Sequence, residues 1–128
     1  MSMQGMALVG FSWLYVLGVV IQFFLAGLGI LGGEDWKAHE GFGWSALHLT
    51  PILLLVLTFI AHASSLTRIL AVALVVIGFI QPLWVTEFRG ELLGAMHVVG
   101  ALVIFVLAHD IARRATREMR ALTSEAVG

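Results

Sequence analysis

The chain has 128 residues, of which 60% are hydrophobic and 12% charged, with a net charge of −1 and a mean hydropathy of +1.01. A soluble domain carries about a quarter charged residues, so this balance excludes an ordinary water-soluble globule and points to an all-α polytopic membrane protein. The absence of cysteine removes disulfides, iron–sulfur clusters, thiolate zinc sites and covalent haem attachment through C-x-x-C-H.

Four apolar segments of about twenty residues can cross a bilayer, and they are expected near residues 9–31, 41–61, 66–85 and 91–112, with a basic C-terminal tail over 113–128. The first is read as a retained span, since no basic residue precedes it and its apolar run continues beyond the length of a signal peptide. Connections at 32–40, 62–65 and 86–90 are short, which sets neighbouring helices antiparallel in an integral-membrane four-helix up-down-up-down bundle. Lys37 and Arg89 lie in the first and third loops, whereas Arg68, Arg113, Arg114, Arg117 and Arg120 gather at the second loop and the tail. This asymmetry predicts that both termini are cytoplasmic. Glu34, Asp35, Glu40, Glu87 and Glu91 then face outward, with Trp36, Trp44 and Trp84 at the same interface.

In span one, Gly18, Ala26, Gly27 and Gly29 offer a small-residue surface suited to close helix packing. Gln22 stands mid-span, where its amide needs a partner because lipid supplies none. The run QFFLAGLGILG at 22–32, His39 with Gly43 four residues later, Gln81, and Leu93 four residues before His97 resemble a family of small uncharacterised bacterial four-helix membrane proteins. That resemblance implies a fold without a settled activity and marks His39 and His97 as the histidines that matter.

Span two runs between His48 and His62 and contains Thr50 and Pro51. A spacing of fourteen residues puts the two imidazoles about 40° apart in azimuth and roughly 21 Å apart in depth on a regular helix. Pro51 crowds the carbonyl of Leu47, so a kink is expected beside His48. Span three follows Ser64 and Ser65, either able to cap it, and contains Gly78, Gln81 and Pro82. Span four carries His97 between Gly94 and Gly100, and His109 near its far end.

Ionisable residues inside a membrane mark function by default. Counted from the outer ends of two parallel spans, His48 matches His97 in depth, and His62 matches His109. Such pairs resemble those of membrane b-type cytochromes, in which two imidazoles hold haem iron without cysteine. One haem b is therefore expected at the outer pair, and a second, weaker site at the inner pair. His97 and His109 are twelve residues apart and so about 120° out of phase, which only a π-bulge or bend at Gly100 would correct. His39 competes with His48 as the outer ligand; depth favours His48, whereas the family resemblance favours His39, which an early start of span two near Asp35 would bring into the bundle.

The expected activity is that of a membrane b-type cytochrome or cytochrome-like subunit, carrying electrons between a quinone-type carrier and an outer acceptor. Lys37, Arg68 and Arg89 are candidates to pair with propionates. Expected partners are membrane lipid, a quinone and a redox partner protein; self-association is left open, and nucleic acid is not expected. Two other readings stand beside this one. A structural or accessory subunit would use its polar residues only to lock helices. An outer zinc or copper site would draw on Glu34, Asp35, His39, Glu40, Glu87 and Glu91. The tail, with Ile111, Ala115, Met119 and Leu122 at helical spacing among arginines, is expected to extend span four along an anionic lipid interface.

Overall fold

Serine at the start of a helix accepts a backbone N–H that would otherwise lack a partner, and in the computed structural model this places the first helix earlier than its apolar run. Residues 1–33, 35–88 and 90–125 are described. Ser2 accepts the Gly5 amide at 3.1 Å, and helix α1 runs Met3–Leu31. It ends at a glycine pair in which Gly33 has φ +68°, a conformation open to glycine at little cost. A short helix α2, Lys37–Phe42, passes directly into a π-turn, Gly43–Leu47, in which the His48 amide donates to the Gly43 carbonyl at 3.0 Å. Helices α3, Thr50–Ile60, α4, Ser65–Glu87, and α5, Met96–Glu125, follow, the last preceded by a 3₁₀ turn at Leu92–Ala95.

Among the described residues four helical stretches are long and apolar enough to cross a membrane: Met3–Leu31, Lys37–Ile60, Ser65–Glu87 and Leu92–Thr123. Between 11% and 17% of each apolar window is buried inside the bundle, so most of its hydrophobic surface is left for lipid. The chain is a multi-pass helical membrane protein. Helix α1 packs against α3 and α5, and α4 packs against the same two. Tyr15, Val16, Val19, Leu54, Leu74, Ile104 and Ile111 fill the space between them, with Ala71, Ala108 and Ala112 allowing close approach.

Two expectations are corrected here. Span two is not one kinked helix. The π-turn absorbs an extra residue, the chain breaks at His48 and Leu49, and Pro51 falls in the first turn of α3, where a missing N–H costs nothing. The π element thus lies in span two, while Gly100 sits in regular α-helix. The apolar stripe of the tail is also not a lipid-facing surface. Ile111, Ala115 and Met119 are buried, the latter two packing with Leu8, Ala61 and Ala63, because α1 begins early enough to cover them. Only Leu122 of that stripe is exposed, as are Arg113, Arg117 and Arg120.

The turn between α3 and α4 is fixed by a carboxylate from α5. Glu118 accepts the Ser64 amide at 2.9 Å, the Ser64 hydroxyl at 2.7 Å and the Thr67 hydroxyl at 2.7 Å. Ser64 is meanwhile the N-cap of α4, accepting the Thr67 amide at 3.3 Å. Replacing Glu118 with Ala removes the carboxylate that three donors share, one of them on the fully buried Thr67. The expected cost is about 1–3 kcal/mol, seen as a lower midpoint in thermal unfolding of the detergent-solubilised protein, with Glu118→Gln losing less.

Candidate functional site

Gln22 of α1 and Gln81 of α4 each face a histidine on the helix that follows. The Gln22 side-chain amide donates to the His39 carbonyl at 2.9 Å, and His39 Nδ1 lies 3.2 Å from the Gln22 carbonyl. The second pair repeats this pattern: Gln81 donates to the His97 carbonyl at 3.1 Å, and His97 Nδ1 lies 3.2 Å from the Gln81 carbonyl. A carbonyl oxygen only accepts, so each Nδ1 must carry the proton. Both Nε2 atoms are left with a lone pair.

The two clamps bring their rings together. The centroids of His39 and His97 are 6.3 Å apart with planes at 65°. Trp36 meets His39 edge to face at 5.5 Å and lies over Gly29. On the other side the Trp84 indole covers Gly100, beside Gln81. Gly43 admits the Gln22 amide: a Cβ there would stand 2.8 Å from its nitrogen. The Gln22 amide also reaches His39 Nε2 at 3.3 Å, while its oxygen, Oε1, is buried with no hydrogen-bond partner.

The remaining histidines take other places. His48, matched in depth to His97 on the sequence, is held instead between Trp44 and Phe79, each at 4.5 Å. It is His39 that meets His97, because α2 starts at Lys37 and carries His39 into the bundle. His62 and His109 do not pair either. His62 is exposed in the turn after α3 with φ +52°, which ends the helical register on which its azimuth depended. His109 packs on Trp13 at 5.8 Å and on Phe105 at 6.2 Å, and Trp13 in turn donates to Thr116 at 3.1 Å.

The acidic set does not converge. Among the described residues no group of three or more histidine, aspartate and glutamate side chains is arranged to hold a metal; Glu34 lies outside them. Glu40, Glu87 and Glu91 are exposed, and Asp35 pairs with Lys37 at 2.9 Å, a contact that holds its carboxyl below the usual carboxylate range. Of the three cations considered for propionates, Arg89 lies outside the described residues. Arg68 sits over the Phe59 ring at 4.8 Å, in the first turn of α4, far from Gln81 along the same helix. Lys37 alone stands close in sequence to His39.

Sequence reasoning had singled out Gln22 and Gln81 separately and missed that they form the same clamp twice. The signal was present: glutamine precedes histidine by 17 residues in one half and by 16 in the other, and a glycine follows each histidine within one turn. Fold and site together define a multi-pass helical membrane protein with a clamped histidine pair. A family model described as a family of unknown function, DUF6220, matches residues 22–87, just over half the chain, and the chain belongs to that family. The match takes in Gln22, His39 and Gln81, and ends before His97. No curated protein and no solved structure matches the chain.

The notch at Gly100 provides a check on this geometry. Gly100→Ala drives a methyl into the Trp84 indole, and overpacking of this kind costs about 1–3 kcal/mol. Thermal unfolding should show the loss, and the double variant Gly100→Ala with Trp84→Leu should recover part of it.

Proposed function

We propose that this chain is a small membrane b-type cytochrome or cytochrome-like subunit in which His39 and His97 would hold one haem. The observation that carries the reading is the pairing itself: two imidazoles whose Nδ1–H groups are pinned on backbone carbonyls, so that each presents Nε2 as its acceptor nitrogen, that of His97 without a partner among the described residues and that of His39 met by the Gln22 amide at 3.3 Å. Histidine ligands are oriented in this way by a hydrogen bond from the other ring nitrogen. Two nitrogens about 2 Å either side of one metal ion, each ring centroid about 1 Å further out, place the centroids roughly 6 Å apart. The separation of 6.3 Å fits that arrangement.

When bound, the haem supplies one-electron chemistry, and the protein tunes it through axial ligands, hydrogen bonds and burial. The chain's own residues hold the rings and fix their tautomers, with Trp36 packed edge to face on His39 and Trp84 over Gly100. An up-down-up-down path with both termini cytoplasmic follows from Arg68, Arg113, Arg114, Arg117 and Arg120, and it puts the pair on the outer side of a bacterial cytoplasmic membrane. Electrons would pass from a quinone-type carrier to an outer acceptor. One haem is expected, since the second pair of histidines is split between an exposed turn and an aromatic contact.

A second reading rests on the same clamps. As interhelical hydrogen bonds they lock α1 to α2 and α4 to α5 without any cofactor, as a structural subunit requires.

The deciding measurement is the visible spectrum of the detergent-purified protein from haem-replete cells, oxidised and then reduced with dithionite. The cytochrome reading expects a sharpened α band and one haem per chain. His97→Ala should remove the haem, His39→Ala should abolish the sharp bis-imidazole band, and His62→Ala and His109→Ala should leave it in place. A colourless wild-type protein would establish the structural reading instead.

A further inference from the structure

The two clamps differ at one atom. His97 Nε2 has no hydrogen-bond partner among the described residues, whereas His39 Nε2 lies 3.3 Å from the Gln22 amide nitrogen. That amide cannot simply be turned round. Its nitrogen also donates to the His39 carbonyl at 2.9 Å, and an oxygen in the same place would face another oxygen. The amide is also confined from behind by the close approach of Gly43. Gln22 therefore offers His39 Nε2 a proton, and a nitrogen that accepts this proton has no lone pair left for iron. No described residue makes the same offer to His97.

The supports of the two rings differ as well. His97 stands in the first turn of a 30-residue helix. His39 sits on a six-residue helix bounded by the glycine turn at Gly33 and by the π-turn at Gly43–Leu47. Short segments of this kind are the elements that shift at the lowest free energy.

From this asymmetry we infer that His97 is the permanent ligand and His39 the exchangeable one, so that the haem-loaded protein binds a small neutral diatomic molecule on the His39 side. Gln22 is the positioning residue that makes the exchange possible: its N–H holds the displaced His39 ring and slows its return. Neutrality of the ligand follows from the described surroundings: indoles, glycines and an amide, with the nearby Lys37 already paired to Asp35 and the exposed Glu40 carboxylate beside His39 opposing an anion. The inference rests on the haem reading above and extends it from electron relay to binding of a gas-sized ligand.

The test is carbon monoxide binding to the dithionite-reduced, haem-loaded protein, followed by the shift of the Soret band. The wild-type protein should bind one carbon monoxide per haem. Gln22→Leu, which removes the competing N–H, should weaken that binding about fivefold, the effect of one ordinary hydrogen bond. Gly43→Ala, which pushes the amide off His39, should act in the same direction with the glutamine still present. Gln81→Leu removes the matching clamp from His97 without touching a ring nitrogen, and its effect should be smaller than that of Gln22→Leu. His39→Ala should keep its haem and bind carbon monoxide more tightly than wild type. A coloured wild-type protein inert to carbon monoxide would overturn the inference and leave the cytochrome reading standing, and so would equal effects of the two leucine variants. A colourless protein would overturn both.

Discussion

Lipid offers no hydrogen bonds, so every polar group carried into the bundle must find its partner inside the protein. The Gln22–His39 and Gln81–His97 clamps answer that constraint, and the rest of the site depends on them. Each pairs a side-chain donor with a backbone carbonyl in both directions, tying a helix to the one that follows it. A clamp closed in this way commits one ring nitrogen to a backbone carbonyl, and because it occurs twice, two such rings are brought side by side with their centroids 6.3 Å apart. The chemistry of the pair is thus a by-product of satisfying polar groups in an apolar solvent.

The opposite end of the bundle meets the same constraint with charge. Glu118 gathers three donors around the α3–α4 turn, and Arg114 pairs with Asp110 at 2.8 Å one turn earlier on α5. Between the two ends the core is aliphatic, with alanines where helices approach closely. Polar locks at both ends with apolar packing between them hold four helices in register, although lipid provides little hydrophobic drive for helix association.

Local departures from ideal helix geometry decide where the histidines go. Azimuth arguments assume about 100° per residue without interruption, and span two breaks that assumption twice: at the π-turn before His48 and at the left-handed His62. His48 consequently lies between two tilted aromatic rings, and His62 faces out. In α5 the helix is regular from Met96 onward, so the phase difference between His97 and His109 persists and the two serve different surroundings. Pro51 shows why the break was hard to place in advance. The same residue either kinks a helix or begins one, and only the neighbouring structure selects between these outcomes.

Hydropathy and length by themselves determined that four helices would be long and apolar enough to cross a membrane, because the cost of exposing apolar side chains to water is additive along the chain and independent of packing. Local chemistry also marked Ser64 as a candidate cap, and Gln22 and Gln81 as residues in need of partners. Which partner each would take was a matter of tertiary structure. Whether His39 or His48 meets His97 turns on where α2 begins and on one extra residue in a π-turn, and the burial of Ala115 and Met119 turns on how far α1 extends past its apolar run. These outcomes depend on contacts between residues distant in the chain, and no spacing within a single helix encodes them.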